Sequence, residues 1–296
     1  RPILAENGGW AVFIYTPRGK NHGHSLYQMA KSSNEWFCQN LTVKDTKRSD
    51  GTPVIDPDVI EQERLEGMEE ALIQQEFYGS FEAQIAGAYF ADQIAAAKEQ
   101  GRVTKLPIEP SLMVHTAWDL GISDAMSIWL FQAIGKEIRL IGYYENNNKG
   151  MEHYIQWLNQ YASTNGVMLG QHLAPHDIEV RELTSGRSRK DVAREMGISF
   201  RTVQRPRSKA EGIQSIRRMF PRFWFDEDKT EHGLNCISSY HREFDEKRNV
   251  FRDMPVHDWA SHGADALQTL ALGWQESMIT GRRPEPRQAE VRFSVF

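Results

Sequence analysis

Residues 113–146 read MVHTAWDLGISDAMSIWLFQAIGKEIRLIGYYEN. Three strand-like apolar runs stand out in this stretch: MVHTAWDLG (113–121), MSIWLFQAIG (126–135) and IRLIGYYEN (138–146). The connections between them are short and contain glycine, at 121–124 and 135–137, which is hairpin length. The stretch therefore predicts an antiparallel meander of three strands. Downstream, the sequence predicts a helix over MEHYIQWLNQYAST (151–164), a strand over QHLAPHD (171–177) and a helix over SRKDVAREMG (188–197). A strand over FRTVQRP (200–206), a helix over KAEGIQSIRRMF (209–220), a strand at RFWF (222–225) and a long helix over HDWASHGADALQTLALGW (257–274) complete the series.

The order βββ-α-β-α-β-α-β-α predicts an α/β fold with a mixed sheet and flanking helices, the plan of a ribonuclease-H-like domain. Upstream of it, GWAVFIYTP (9–17) reads as a buried strand stopped by Pro17. RGKNHGHSLYQMAKS (18–32) has Leu26, Met29 and Ala30 at helical spacing, and WFCQNLTV (36–43) reads as a second short strand. Residues 56–79 read as one acidic amphipathic helix capped by Asp56 or Asp58, and 81–102 as an alanine-rich helix. Two strands and two helices in ~80 residues make a poor independent domain. A proline-containing extended passage, RVTKLPIEPSL (102–112), places a boundary near residue 108. The expected organisation is residues 1–84 as the end of a larger domain, 85–109 as a linker helix and extended segment, 110–276 as the α/β domain and 277–296 as a tail.

The chain has 296 residues, 40% apolar and 25% charged, which excludes collagen-like, low-complexity and wholly disordered classes. Its uncharged apolar runs fall short of the ~20 residues of a membrane helix, and RPILAENGGW does not read as a signal peptide. Cys38 and Cys236 lie far apart, outside any CxxC or Cys/His cluster, so neither a zinc site nor a disulfide framework is expected. A reducing compartment fits. The net charge of −5 hides an asymmetry: residues 56–92 carry ten acids against one base, while residues 187–222 carry eleven Lys/Arg against three acids. Such a basic block can grip a polyanion with one face, although a solvated surface would look the same.

Asp119 ends an apolar run in TAWDLG, and Asp177 holds the same kind of position in HLAPHD. Acids at strand ends also serve as turn caps. Asp265 lies inside a predicted helix between Ala264 and Ala266, where an unpaired buried carboxylate would cost several kcal/mol. No lysine or arginine lies within a turn on its face, which makes a metal ion the expected partner. Three acids from two strand ends and one helix can converge, and oxygen ligands suit Mg²⁺ or Mn²⁺ rather than zinc. Two such ions, roughly 3.5–4 Å apart, serve phosphodiester hydrolysis. Asp124, five residues after Asp119, is a candidate for a second metal or for holding the hairpin. Asp258, His262 and Asp265 fall at i, i+4 and i+7 on one helix face. His262 can orient water, touch a phosphate or make a structural hydrogen bond. His176 reads as a supporting neighbour of Asp177, and Glu145 as a further metal candidate.

Five segments resemble tailed-bacteriophage terminase large subunits. TAWDLGISDAMSIWLFQ (116–132), PHDIEVRELTSGRSRKDVAREMG (175–197) and HDWASHGADALQTLALG (257–273) resemble, in order, that family's nuclease motifs. TPRGKNHGHSLY (16–27) resembles the coupling motif of its ATPase domain, and QQEFYGSFEA (74–83) the passage between the two domains. The resemblance covers nearly the whole chain. It implies a C-terminal ribonuclease-H-like nuclease preceded by the end of a P-loop ATPase domain, with Thr16, Pro17 and Asn21 in ATPase coupling. It further implies an endonuclease that cuts concatemeric double-stranded DNA, with two Mg²⁺ or Mn²⁺ ions on Asp119, Asp177 and Asp265, Asp119 bridging. Arg187, Arg189, Lys190 and Arg194 would hold the DNA backbone. The implied partners are double-stranded DNA, a small terminase subunit and a portal protein, and the implied location is the host cytoplasm. The sequence has no GxxxxGK[ST] loop and no apolar strand ending in Asp-Glu before the coupling motif, so ATP use is expected only of a full-length protein.

Two alternatives stand beside this. SRKDVAREMGISFRTVQR (188–205) resembles a helix-turn-helix, with Ala193, Gly197 and Val203 at the small, turn and core positions, as in a DNA-binding regulator. Pro206 falls where its second helix should continue. A ribonuclease-H-like transposase or resolvase would share the three acids, and the 16–27 segment separates it from a terminase.

Overall fold

The structure is a computed structural model that describes residues 6–17, 19, 22–68, 70–81, 87–121, 125–181, 186–245 and 250–279. The chain forms two compact units. One comprises residues 1–91 and 238–255, the other 92–237 and 256–296.

The first unit contains helices α1 (His22–Lys31), α2 (Pro57–Leu65) and α3 (Glu70–Glu76). Asp56 caps α2, accepting from the Asp58 amide, and Pro57 opens the first turn. The single acidic helix expected over 56–79 is in fact two, because Gly67 sits at φ +102 between them. The strand expected over 9–17 is absent: Trp10 and Ile14 are 82% and 92% exposed, without regular structure. Residues 36–43 form no strand either. An apolar run becomes a strand only where a sheet pairs its backbone and buries its side chains. The returning segment, a hairpin of Arg242–Asp245 with Val250–Pro255, is tied to residues 87–90 by an Ala88–His241 bridge and by Tyr240, which packs on Tyr89 and Phe90.

The second unit contains the expected βββ-α-β-α-β-α-β-α order, with a helix and a two-residue strand before it and one further helix ahead of the last. Its elements are α4 (Ala91–Glu99), β1 (Val103–Thr104), β2 (Val114–Asp119), β3 (Met126–Ile134), β4 (Glu137–Asn146), α5 (Met151–Asn165), β5 (Leu169–Pro175), α6 (Arg189–Glu195), β6 (Phe200–Val203), α7 (Lys209–Met219), β7 (Phe223–Asp226), α8 (Glu231–Ser239) and α9 (Trp259–Gly273). The sheet order is β1-β7-β4-β3-β2-β5-β6. β2, β3 and β4 form the antiparallel meander, while β5 and β6 extend it in parallel from β2, and β7 and β1 from β4. The fold is thus α/β, with a seven-stranded mixed sheet flanked by helices.

Both faces of the central strands are covered, which is why β2 and β3 are buried along nearly their whole length. Trp118, Ile128 and Leu130 face Tyr154, Ile155 and Leu158 of α5. On the other face the Ser127 hydroxyl donates to the His262 carbonyl and the Trp129 indole to the Gly263 carbonyl, both at 2.9 Å, fixing α9 against the sheet. α9 is capped by Asp258, whose side chain accepts from the Ala260 amide. Because β6 is a strand where a helix-turn-helix needs its second helix, that alternative fails.

His115 and His172, on neighbouring strands, are 3% exposed. The Gln171 amide donates to His115 Nδ1 at 2.9 Å, and the Thr116 hydroxyl, itself accepting from Trp118 Nε1, lies 2.7 Å from His172 Nδ1. His115 therefore accepts at Nδ1, and His172 shares a hydrogen bond with the Thr116 hydroxyl. Burial lowers each to about 4, from an ordinary value of 6.5. An unfolded chain takes up these protons first as pH falls, so the stability they allow is complete above 6.5 and is lost toward about 4. We expect a decline approaching about 3 kcal/mol per histidine below that window. Urea midpoints between neutral pH and pH 4 should show it, and His172→Gln should flatten the slope.

Candidate active site

β2 is the strand at which the sheet changes direction, antiparallel to β3 and parallel to β5. The crevice beyond the carboxyl ends of strands at such a point is where α/β sheets place their sites. Asp119 is the last residue of β2. Asp177 lies just past β5, in the first turn of the 3-10 helix His176–Glu179. Asp265 projects from α9, which packs on β2 and β5. All three line one cleft of about 440 Å³ with His176, Arg205, Arg207, Lys209 and Gln268.

The Asp119 and Asp265 side chains are each 24% exposed, against 55% for Asp177. Burial pushes the Asp119 carboxyl above the ordinary value, and the charge of Asp265 adds to that; His262 and Lys209 pull the other way. His262 Nδ1 stands 3.5 Å from Asp119 Oδ2. Asp265 does have a protein cation, contrary to expectation: Lys209 Nζ reaches across from α7 to both carboxylate oxygens, at 3.1 and 3.2 Å. No local pattern reveals this lysine, because it lies 56 positions away in sequence. His176 Nε2 is 2.9 Å from Asp177. Three carboxylates line one cleft, one of them against a resident ammonium, and offer hard oxygen donors. That chemistry fits a divalent cation such as Mg²⁺ or Mn²⁺.

The remaining candidates are distributed differently. Asp258 stands outside the helical face it was expected to share, serving as the α9 cap. Glu145 does not line the cleft. Burial raises its carboxyl, but hydrogen bonds from His232 and the Tyr143 hydroxyl, with the charges of His232 and His262, together hold it below the ordinary value. Asp124 and Asn21 lie outside the described residues; Thr16 and Pro17 belong to the first unit. Of the basic residues, Arg187 pairs with Glu195, Lys190 with Glu179 at 2.7 Å and Arg194 with Asp191 at 3.7 Å, while Arg189 opens α6. The bases that reach the cleft are Arg205, Arg207 and Lys209, further along the same basic block than the four expected to hold DNA. Their signal in the sequence is their place between the strand ending at Val203 and the helix that Lys209 opens.

No protein-family model matches the sequence, and no curated protein is matched. Solved structures are. The large terminase of the thermophilic bacteriophage D6E is 15% identical, with 91% of this chain and 65% of that chain covered and a TM-score of 0.48. The P22 large terminase nuclease domain is 15% identical over 58% of this chain and 88% of its own, at TM-score 0.44. The large terminase nuclease from thermophilic phage G20c, with bound cobalt, is 12% identical over 63% and 97%, at TM-score 0.42. The chain spans about 65% of the length of the D6E protein. Likenesses this distant leave function to be argued from the chain's own residues.

The ammonium on Asp265 and a divalent cation would compete for the same oxygens. Lys209→Gln should therefore tighten Mn²⁺ binding, seen as a melting-temperature rise at lower Mn²⁺ concentration than in the parent protein. In chelator it should cost at most about 1 kcal/mol, because the pair is partly exposed.

Proposed function

We propose that the second unit is a metal-dependent endonuclease of the terminase type, hydrolysing phosphodiester bonds in double-stranded DNA. The observation that carries this is the meeting of Asp119, Asp177 and Asp265, from three distant segments, in one cleft walled by Arg205, Arg207 and Lys209. Asp119 would hold both metal ions, with Asp177 and Asp265 each completing one site and Asp124 assisting. Bound there, two Mg²⁺ or Mn²⁺ ions would lower the pKa of a water and stabilise the charge on the leaving oxygen.

The chain's own residues do the rest. His262 keeps Asp119 oriented through Nδ1. Arg205 and Arg207 would bind backbone phosphates, and Lys209, on its flexible stem, would reach a phosphate beside Asp265. Arg187, Arg189, Lys190 and Arg194 extend that grip; surface ion pairs are worth so little that they yield to DNA. These contacts read the backbone and carry no sequence preference. Beyond the cleft, the resemblance of residues 16–27 to the coupling motif supports a terminase large subunit over a transposase or resolvase. It extends the proposal to cutting of concatemeric DNA during viral genome packaging in the host cytoplasm. ATP-driven translocation would then belong to a full-length protein, with a small terminase subunit and a portal as partners.

A plasmid-nicking assay with each divalent ion tests the reading. Asp119→Asn, Asp177→Asn and Asp265→Asn should each bring cleavage to background without unfolding the protein, and each should shrink the melting gain from Mn²⁺. Wild-type cleavage in any one variant removes that residue from the site, and wild-type cleavage in all three overturns the assignment.

A second measurement addresses the walls of the cleft. Arg205→Ala with Arg207→Ala should weaken binding to two unrelated duplexes equally. The slope of log affinity against log salt should become shallower by about 0.9 for each phosphate that is no longer neutralised. Weakening confined to one duplex would argue against backbone recognition.

A further inference from the structure

Three side chains that the cleft does not use meet on the same face of the sheet. Asp119, Ser127 and Glu145 are opposite one another across β2, β3 and β4, so Glu145 stands two strands along from Asp119. His232 and Cys236 lie at i and i+4 on α8 and so share one helix face, turned toward Glu145. The carboxylate, imidazole and sulfur ligand atoms all lie within 4.8 Å of one another, with His232 Nε2 3.5 Å from Glu145 Oε1. A tetrahedral zinc ion with bonds of about 2.0–2.3 Å holds its ligand atoms ~3.5 Å apart, so side-chain adjustments of about 1 Å or less close the set.

The surroundings are built for such a set. The His232 ring stacks on Trp259 at a centroid distance of 6.0 Å and lies 5.6 Å from the Tyr143 ring, which fixes its direction. The Tyr143 hydroxyl donates to Glu145, the outer partner that ligating carboxylates keep. Gly263 leaves room for the thiol: a Cβ there would lie 2.7 Å from Cys236 Cβ. Cys236 is fully buried, and its sulfur lies 3.8 Å from the Trp259 carbonyl and 3.9 Å from the Tyr143 hydroxyl, beside the Gly263 backbone. His232 is half exposed and opens the cluster to solvent.

We propose that Glu145, His232 and Cys236 form a second metal site, taking Zn²⁺ or a similar thiophilic divalent ion, separate from the carboxylate cleft. Thiolate and imidazole select such ions over Mg²⁺. Three protein ligands leave one position for water. The thiol proton passes to solvent as the sulfur–metal bond forms, together with any proton held by the His232 ring, so each ion bound releases at least one proton. The ion ties α8 to β4.

The test uses metal-free protein carrying Cys38→Ser, titrated with Co²⁺ in excess Mg²⁺. One equivalent should give thiolate-to-cobalt charge-transfer absorption, which Zn²⁺ should bleach. The band should vanish in Cys236→Ser and persist in Asp119→Asn and Asp265→Asn. His232→Gln, a change at a half-exposed position that keeps the fold, should weaken affinity by at least the ~10–100-fold that loss of an outer partner costs. Absence of the band at stoichiometric Co²⁺, its survival in Cys236→Ser, unchanged affinity in His232→Gln, or its loss in the cleft variants would each overturn the site.

Discussion

Two hydrogen bonds from the sheet to the backbone of one helix govern the second unit. Ser127 and Trp129, on the same face of β3, donate to the consecutive carbonyls of His262 and Gly263. The Trp129 side chain is wholly buried, and an unmatched indole N–H there would cost about 1–3 kcal/mol. The small residues Ala260, Gly263 and Ala264 let the helix come close enough for these bonds. Because Asp119 is opposite Ser127, the register that satisfies the helix also sets Asp265 against Asp119. Packing and site geometry are one constraint here.

The acids of the cleft keep a counterion of their own. Lys209 relieves part of the repulsion between the carboxylates of the cleft, so its charge offsets theirs within the protein itself. A lysine suits this part because its ammonium is a single charge on a flexible stem that reaches both oxygens of Asp265.

Much of this is legible in the sequence. The strands of the second unit show as apolar runs between glycines, and Asp119 and Asp177 as acids where those runs stop. The same signal misleads at 9–17 and 36–43, because hydrophobicity does not say what covers a segment. Periodicity alone runs one helix through Gly67, where a left-handed backbone ends it. β1, with two residues, is too short to carry a pattern. α8 escapes a sequence reading because EHGLNCISS holds a glycine and few strong helix formers. Its Gly233 is instead dictated by Trp129 and Tyr143, whose rings leave no space for a Cβ. Lys209 beside Asp265, and Glu145 beside His232 and Cys236, join positions far apart in the chain, which no local pattern encodes.

The path of the chain has a practical consequence for dividing it. The backbone passes between the two units three times, after residues 91, 237 and 255, so no single cut separates them. A truncation that begins at residue 92 would retain all the cleft residues but also residues 238–255, a hairpin stripped of its own neighbours. Tyr240 would lose Tyr89 and Phe90, and Phe251 would lose the glycine at 87 against which its ring lies. Such a fragment would present fresh aromatic surface and an unpaired strand edge to solvent, a recipe for self-association. A soluble excision of the second unit therefore calls for two edits: the new start, and a short polar loop in place of the hairpin between α8 and α9.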